Sequence, residues 1–348
     1  MRILAVTTMR DEGPFILDWV AYHRSIGVTD FLIFSNDCTD GTEALLDALD
    51  AAAVGVTHIP QDVAEGTSPQ WQALRAAWHH PLRKACDWAV VCDVDEYIVH
   101  HGAASLPDLI AALPAGTDAI AMPWRLFGNN GVLRFEDRPV IEQFTASAEA
   151  GMEYPVQATF PKSLFRLKGP FNQFGVHRPK QKSAPGAPVP RWVDGAGAPL
   201  PDLFAATQSR LALFGLSTGR SLVECHHYSL RSAESFIVKR ARGLPNRSAK
   251  SIDLGYWVER NFNTVDNRAA LRFADGMGAE RAALDARAPA LAACHADCVA
   301  RHRAAFDAAM GEERELRLLM QISMAGASQV LPDAEARRLL TLFYALKQ

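Results

Sequence analysis

Short apolar runs alternate, along the first third of the chain, with stretches in which apolar residues recur at helical spacing. Four runs predict buried strands, at residues 2–7, 31–34, 88–92 and 119–123. The stretches between them predict helices, at residues 14–26, 42–53, 68–84 and 105–113. Strands that alternate with helices predict an α/β fold with a mostly parallel sheet flanked by helices.

The pattern changes after residue 123. Residues 124–193 carry glycines and prolines between short apolar pieces, which predicts loops and short strands around a site. Residues 180–201 are rich in Pro, Gly and Ala and predict an exposed loop. Near the C-terminus the composition shifts to Ala, Leu, Arg and Glu with helical periodicity. We therefore predict an α/β domain over residues 1–245 and a mostly helical C-terminal extension over residues 246–348.

Length, composition and charge describe an ordinary globular protein without a general affinity for polyanions. The chain has 348 residues, 49% of them hydrophobic and 22% charged, and a formal net charge of −3. Because that charge provides no attraction to nucleic acid, we predict no nucleic-acid partner. No apolar stretch approaches the roughly 20 residues that a membrane span needs, which predicts no transmembrane segment.

The N-terminus and the cysteines bear on location. The first 13 residues combine one early arginine with a short apolar run and no small-residue cleavage site, which predicts a core strand rather than a signal peptide. The six cysteines are scattered along the chain, as suits a reducing compartment. We predict a cytoplasmic location, or one peripheral to the inner face of the membrane.

Two aspartates, Asp93 and Asp95, stand two positions apart just after the apolar run 88–92. In an extended strand both side chains point to the same face, so they can reach one cation. Carboxylate oxygens suit Mn²⁺ or Mg²⁺, and such an ion offsets charge on a diphosphate leaving group. The alternative is a pair of solvated surface acids, but uncompensated charge beside a core strand is costly.

Polar residues also follow the first two predicted strands. Thr7, Arg10, Asp11 and Glu12 come after the first, and Asp37 comes after the second. Because ligands of such sheets bind beyond the carboxyl ends of the strands, these positions predict a nucleotide pocket. Acids could accept hydrogen bonds from ribose and base, while Arg10 could pair with phosphate. An ordinary turn with a helix cap is the alternative, and compatible, interpretation of the second segment.

The order and spacing of many segments, from about residue 2 to about residue 245, resemble glycosyltransferase family 2-like proteins related to glycosyltransferase family 92. The matching residues are Arg10-Asp11-Glu12, Trp19, Tyr22-His23, Gly27, the segment from Ser35 to Thr42, Asp87-Trp88, Asp93-Val94-Asp95-Glu96-Tyr97, the segment from Trp124 to Gly131, Lys162-Ser163, Arg166, Val176-His177, the segment from His227 to Ser232, Glu234, Phe236, Lys239 and Arg242-Gly243.

The resemblance implies a GT-A (Rossmann-like) fold, a nucleotide-sugar donor that Asp93 also contacts, and a Mn²⁺ or Mg²⁺ ion bound through the aspartates. It also implies a third metal ligand or diphosphate contact from a downstream histidine, for which we choose His227 over His226. A structural, partly buried histidine pair is the alternative. Lys239 could close over the diphosphate together with the arginines that follow it, or these cations could form a solvated basic face.

Three further residues complete the predicted site. Trp124 follows the fourth predicted strand, and its ring could pack against the donor sugar or the acceptor, although a single Trp is more often a core residue. A base for the acceptor hydroxyl requires a carboxylate or a histidine. His177 and Asp194 are the candidates, and the stereochemistry of transfer stays open.

These observations predict a metal-dependent glycosyltransferase that moves a sugar, from a UDP-sugar by preference, to a carbohydrate, lipid-linked or other hydroxyl acceptor. A metal-dependent nucleotidyltransferase or phosphohydrolase is the first alternative. The chain lacks the phosphate-binding pattern G-x-x-x-x-G-K-[ST] that many such enzymes carry. A nucleotide-sugar-binding module without turnover is the second alternative.

Overall fold

A computed structural model describes residues 1–64, 66–181, 186–242 and 252–346 of the chain. Its strands are β1 (Ile3–Met9), β2 (Asp30–Ser35), β3 (Val56–Pro60), β4 (Trp88–Val91), β5 (Glu96–His100), β6 (Ala119–Leu126), β7 (Ala146–Ser147), β8 (Pro161–Arg166), β9 (Phe171–Gln173), β10 (Lys180–Gln181), β11 (Trp192–Asp194), β12 (Val223–His227) and β13 (Val265–Asp266).

The helices, in chain order, are α1 (Gly13–Ser25), α2 (Thr42–Ala51), α3 (Pro69–His79), α4 (Pro81–Ala85), α5 (Leu106–Ala111), α6 (Val140–Gln143), α7 (Asp202–Ala206), α8 (Ala233–Arg242), α9 (Leu254–Val258), α10 (Ala274–Arg287), α11 (Ala290–Ala309), α12 (Glu313–Ala325) and α13 (Asp333–Ala345). Two 3₁₀ helices cover Val156–Thr159 and Ala269–Phe273.

The central sheet has the strand order β3-β2-β1-β4-β8-β6-β12-β5, and β11 adds to β6. Strands β1 to β4 pair in parallel, as β6 does with β11 and β12, whereas β8 and β5 pair antiparallel to their neighbours. All residues of β2 and β4 are buried, as expected for strands covered on both faces. The predicted α/β class with a mostly parallel sheet is confirmed.

This topology brings separate polar segments to one edge of the sheet. Strands β2, β1 and β4 are consecutive neighbours and run in the same direction. The residues that follow them, 36–40, 10–12 and 93–95, therefore lie along the same carboxyl edge. The edge on which the sequence predicts a nucleotide pocket is formed as expected.

Helix α1 anchors the segment that follows β4. Its Trp19 donates a hydrogen bond from Nε1 to the carbonyl of Glu96 at 3.0 Å, and its Tyr22 hydroxyl donates to the carbonyl of Ile98 at 3.0 Å. Both rings are fully buried, so each polar atom needs such a partner. These bonds hold the start of β5, and with it the preceding turn, against the helix.

Two local predictions are wrong. The single helix predicted over residues 68–84 is split, because Pro81 has no N–H to continue α3 and instead starts α4 behind the cap residue His80. The exposed loop predicted over residues 180–201 contains the buried strand β11, whose Trp192 packs in the core. Part of that predicted loop, residues 182–185, lies outside the described residues.

The C-terminal helices share the main hydrophobic core. Met277, Leu291 and Cys298, from α10 and α11, belong to the same buried cluster as Ile16 of α1. The contact between α11 and α1 is close, since a Cβ added at Gly13 would lie 2.5 Å from Cys298 Sγ. Helices α10 and α11 thus pack on the sheet domain, and the predicted boundary at 245/246 lies outside the described residues. Among the helices of the described ranges, none has both the length and the apolarity to cross a bilayer.

Candidate active site

The two aspartates of the Asp93-Val94-Asp95 segment occupy a turn between β4 and β5, and each pairs with a different lysine. Asp93 Oδ2 lies 3.0 Å from Lys162 Nζ of β8, and Asp95 Oδ2 lies 2.7 Å from Lys239 Nζ of α8. The extended geometry assumed from the sequence is therefore wrong, since a turn carries the aspartates. The side chain of Asp93 is 35% exposed, whereas Asp95 is buried.

Lys162 is a fully buried cation that bridges Asp93 and Glu96. Its Nζ lies 2.9 Å from Glu96 Oε2. The same Glu96 oxygen accepts the backbone N–H of Asp93 at 2.8 Å, and Oε1 accepts Trp124 Nε1 at 2.9 Å. Burial works to lower the pKa of Lys162, but the carboxylates of Asp93 and Glu96 outweigh it and raise that pKa. Burial raises the pKa of Glu96 to about 8, and Lys162 opposes this rise.

Asp95 is the centre of a second group, with Lys239 and His227. Asp95 Oδ1 lies 3.7 Å from His227 Nε2, and Lys239 Nζ also donates to the carbonyl of Ser229 at 2.8 Å. Burial alone would raise the pKa of Asp95, but Lys239 and His227 together lower it well below its usual range. Burial lowers the pKa of His227, which favours the neutral imidazole.

Of the two adjacent histidines, the structure brings His227 and not His226 to the aspartates. Side chains alternate along β12, so the two rings point to opposite faces. His226 Nε2 lies 3.0 Å from Glu224 Oε1, and its ring packs against Phe127. The ring of His227 instead lies 4.1 Å from that of Trp124.

The donor types around Asp95 fit a divalent cation that relies on its substrate for most of its ligands. Asp95 Oδ1 and the neutral His227 Nε2 face each other, while Asp93 Oδ1 accepts only a 3.3 Å hydrogen bond from Gln70. Within the part of the chain that the structure describes, no group of three or more His, Cys, Asp or Glu side chains forms a preformed metal cage. Phosphate and water oxygens would have to complete the ion's shell.

The run of cations on α8 is not a solvated face, because each side chain has a partner. Arg242 pairs with Glu12 and donates to the carbonyl of Asp11 at 2.8 Å, and Arg240 lies 2.7 Å from Glu315. Arg231 also pairs with Glu12, and its Nη1 lies 2.8 Å from Glu12 Oε2. Burial alone would raise the pKa of Glu12, but Arg242 and Arg231 lower it. Glu12 is thus a buried link between α8 and the end of β1.

A small cavity opens between Glu12 and α8. Basic and hydroxyl groups dominate its lining, including Arg231, Lys239, Arg242, Ser229 and Ser235. It adjoins Asp95 through Lys239. The three cations of this lining are matched by its two acids and by Asp95, so the formal charges around this part of the site balance.

The residues predicted to contact the nucleotide have different surroundings. Asp11 Oδ1 accepts the backbone N–H groups of Thr39 at 2.6 Å and Asp40 at 3.2 Å, so it holds the loop after β2. Asp37 is exposed at the end of β2, and Arg10 is exposed at the end of β1. Thr7 is buried within β1. Asp37 and Arg10 are therefore the accessible members of the predicted pocket.

Both base candidates from the sequence are in the described part of the chain, and ring contacts connect His177 through Trp124 to His227. The ring of His177 lies 5.1 Å from that of Trp124 and 5.1 Å from that of Phe160, and Trp124 in turn contacts His227. Trp124 is itself almost fully buried. Two ring contacts therefore link the half-buried His177 to His227, and His227 in turn faces Asp95.

Asp194 has a structural environment instead. It is fully buried at the end of β11. Its carboxylate accepts the backbone N–H groups of Ala196 and Ala198 at 2.9 Å, that of Gly219 at 3.1 Å, and the hydroxyl of Ser217. Because both oxygens are occupied, no lone pair is left for an acceptor hydroxyl. We therefore replace the predicted catalytic role of Asp194 with that of a loop-holding residue.

Sequence reasoning assigned no role to several residues that shape this site, namely Gln70, Glu96, Lys162 and Arg231. One of them had a usable signal. Lys162 is fully buried in strand β8, between the buried Pro161 and Ser163, and a lysine is almost never fully buried unless it is paired. A lone lysine in a core strand, read together with the acids after β4, would have predicted the ion pair.

Proteins of similar sequence carry the name of the family that the residues of this chain resemble. A glycosyltransferase family 92 protein of Oryza sativa subsp. japonica is 30% identical over 106 residues, which is 30% of this chain and 17% of the relative. A Ricinus communis protein of the same family is 32% identical over 93 residues, 26% of this chain and 16% of the relative. The chain thus matches about a sixth of the length of these relatives.

Solved structures with a distant likeness include a mannosyltransferase and a glucosyl-3-phosphoglycerate synthase. The mannosyltransferase PcManGT from Pyrobaculum calidifontis, in complex with GDP-Man and Mn²⁺, is 15% identical, with 92% of this chain and 84% of that chain covered and a TM-score of 0.34. Glucosyl-3-phosphoglycerate synthase from Mycobacterium tuberculosis is 14% identical over 48% of this chain and 56% of that chain, with a TM-score of 0.27. Scores this low assign no ligand to the present chain.

The family assignment rests on a longer match. The pattern that defines glycosyltransferase family 92 matches residues 3–185, which is more than half of the chain. That range contains β1 to β4, the Asp93-Val94-Asp95 turn, Lys162 and His177. The predicted resemblance, and with it the GT-A type of α/β fold, is confirmed. The chain belongs to glycosyltransferase family 92.

Proposed function

We propose that this chain is a metal-dependent glycosyltransferase that moves a sugar from a nucleotide-sugar donor, preferably a UDP-sugar, to a hydroxyl acceptor. One observation carries the proposal: Asp95 lies beside His227 and Lys239, at the carboxyl edge of a sheet whose other strand ends carry Asp37 and Arg10. Family membership supports the reaction class. A cytoplasmic location stays part of the proposal, supported by six free thiols.

In this proposal the donor lies along the ends of β1, β2 and β4. Asp37 accepts hydrogen bonds from the base or ribose, and Arg10 pairs with phosphate. Asp93, Asp95 and His227 would hold a Mn²⁺ or Mg²⁺ ion, which when bound neutralises the charge that develops on the leaving diphosphate. Lys239 is positioned to add a second positive charge on the same group, since its ammonium already lies 2.7 Å from Asp95.

His177 is the proposed base for the acceptor hydroxyl. Its half-buried ring lies in the aromatic cluster with Trp124, next to His227. A histidine is a common general base because its ordinary pKa lies near neutrality. Trp124 keeps its proposed role of packing against a sugar ring.

Turnover with defined donors tests the proposal. A panel of UDP- and GDP-sugars, each with and without Mn²⁺, is screened first for thermal stabilisation and then for release of the nucleoside diphosphate. We expect metal-dependent stabilisation by at least one donor and metal-dependent release of its diphosphate. Release of inorganic phosphate or pyrophosphate instead would favour a phosphohydrolase or nucleotidyltransferase, and stabilisation without turnover would favour a binding module.

Replacing Asp37 with alanine is expected to weaken donor binding more than it slows transfer. Asp37 follows β2 and should hold the base or ribose, away from the reacting bond. Loss of one charge-assisted hydrogen bond costs about 1.5–3 kcal/mol, or roughly a 10- to 150-fold rise in the dissociation constant. Calorimetry with the nucleoside diphosphate measures it, with the exposed acid Asp333→Ala on α13 as the control. Unchanged affinity in Asp37→Ala would remove this residue from the pocket.

Replacing His227 with alanine is expected to weaken nucleoside diphosphate binding in the presence of Mn²⁺, with a smaller effect in its absence. The reason is that the imidazole supplies one of the few protein ligands for the ion, and loss of a ligand or its support costs about 10- to 100-fold in metal affinity. Titration of Mn²⁺ by electron paramagnetic resonance reports the change directly. His79→Ala, at the exposed end of α3, is the matched control. Equal Mn²⁺ affinity in both variants would make His227 a structural residue.

A further inference from the structure

An open groove of about 560 Å³ is lined by residues from three distant parts of the chain. Its apolar walls are formed by Val156, Phe160, Leu211, Phe214, Phe343 and Tyr344. The last two residues belong to α13 and remain 40% and 36% exposed. We refer to these six residues as the aromatic groove.

One wall of the aromatic groove, Phe160, contacts residues of the candidate active site. The ring of Phe160, at one wall, lies 5.8 Å from that of Trp124 and 5.1 Å from that of His177. Trp124 contacts His227, whose Nε2 faces Asp95. A molecule seated in the groove could therefore present one end to the proposed base and the donor.

The lining is poor in groups that could bind a sugar. Among the described residues that line the groove, none is acidic. Arg210 is the only cation among them, and its guanidinium is turned back onto the carbonyls of Ala212 and Phe214. A sugar seated here would bury hydroxyls with few partners, which is costly, whereas a hydrocarbon would lose only water. The volume lies within the range of ordinary ligand pockets.

We infer that the aromatic groove binds the hydrocarbon chain of an amphiphilic acceptor, and that the acceptor's hydroxyl-bearing head reaches the site at Trp124 and His177. The inference rests on the proposed function and adds the acceptor class to it. It also gives a role to α13, which lies outside the matched family region. The aromatic walls form a rigid apolar surface for the chain, and Phe214 and Tyr344 stack with centroids 6.1 Å apart.

Binding of alkyl glucosides of different chain length tests this inference without knowledge of the natural acceptor. Saturation-transfer NMR compares methyl and n-octyl β-D-glucoside below micelle-forming concentrations. Each buried methylene should tighten binding roughly two- to fourfold, so we expect octyl glucoside to bind far more tightly than methyl glucoside. Equal affinities would overturn the inference.

Variants of the groove test where the alkyl chain of octyl glucoside binds. Phe343→Ala and Tyr344→Ala, both on the exposed side of the groove, are each expected to weaken octyl glucoside binding about tenfold, whereas Leu346→Ala, which is 89% exposed and outside the lining, should not. Ala212→Phe should block the groove by filling it. An unchanged affinity for octyl glucoside in all three groove variants would show that its alkyl chain binds elsewhere and would overturn the inference.

Nucleotide binding separates this inference from the proposed function. Calorimetry with UDP and Mn²⁺ should give the same affinity for Tyr344→Ala as for the unmodified chain, because Tyr344 is not among the residues proposed to bind the nucleotide or the ion. Chain-length-dependent glucoside binding without any nucleotide binding would support the groove and overturn the glycosyltransferase proposal. Nucleotide binding and turnover with no preference for alkyl chains would support the glycosyltransferase proposal and overturn the inference about the groove.

Discussion

Asp95→Asn is expected to reduce sugar transfer about 1000-fold or more, since the several kcal/mol of charge stabilisation that a bound cation provides would be lost. The same change should also destabilise the fold. It leaves the ammonium of Lys239 buried without its 2.7 Å carboxylate partner, and breaking a buried pair on one side costs about 3–5 kcal/mol. The ion pair thus gives Asp95 a structural role besides its proposed role in metal binding. Initial rates and urea unfolding measure the two effects.

A double variant separates activity from stability. Asp95→Asn combined with Lys239→Met removes both buried charges, so we expect most of the lost unfolding free energy to return while transfer stays absent. Asp93→Asn should reduce transfer as Asp95→Asn does. The ion pair that it breaks is the one with Lys162 rather than the one with Lys239. Near-normal transfer by either single variant in the presence of metal would show that the aspartates do not bind the ion.

Lys162→Met is expected to lower the free energy of unfolding by about 3–5 kcal/mol and to weaken donor binding. The change leaves the carboxylates of Asp93 and Glu96 facing one another without the cation that lies 3.0 and 2.9 Å from them. Glu96 would no longer hold the backbone of Asp93 and the indole of Trp124 in one fixed arrangement. Urea unfolding and nucleotide calorimetry measure the two losses.

The loss caused by Lys162→Met should depend on pH with a definite sign. The pKa of Glu96 is raised to about 8 in the folded chain, and removal of the ammonium raises it further. A carboxyl whose pKa is higher folded than unfolded favours folding when it is protonated, so the variant should be less destabilised at pH 6 than at pH 9. Lys168→Met serves as the control, because that lysine is 76% exposed. A loss equal to that of the control at both pH values would refute the bridging role.

Much of the framework follows from local patterns in the chain. The apolar runs before Asp93 and before Asp37 predicted strands because a run that is buried on both faces admits few polar residues. Parallel pairing of those strands then placed both acids on one edge of the sheet. The choice of His227 over His226 came from the family resemblance, and the structure brings His227 to Asp95.

Local patterns did not reveal the partners of the buried charges. Lys162 and Asp93 are 69 residues apart, and Lys239 and Asp95 are 144 residues apart. Such pairs depend on strand order and on the docking of α8, which no short segment encodes. The same reason explains Asp194, which was a candidate base because it is a carboxylate at a suitable distance past the aspartate motif. Packing of the segments around Ser217 and Gly219 occupies its oxygens instead.

The sequence by itself therefore determined the α/β order of elements, the family and the edge of the sheet on which the acids lie, because each depends on periodicity or on motif spacing. Only the tertiary structure decided that the two aspartates sit in a turn, that each is neutralised by its own buried lysine, and that a wall residue of the aromatic groove, Phe160, contacts Trp124. Those features arise where distant segments exclude water together, and there a charge must find its partner across the fold rather than along the chain.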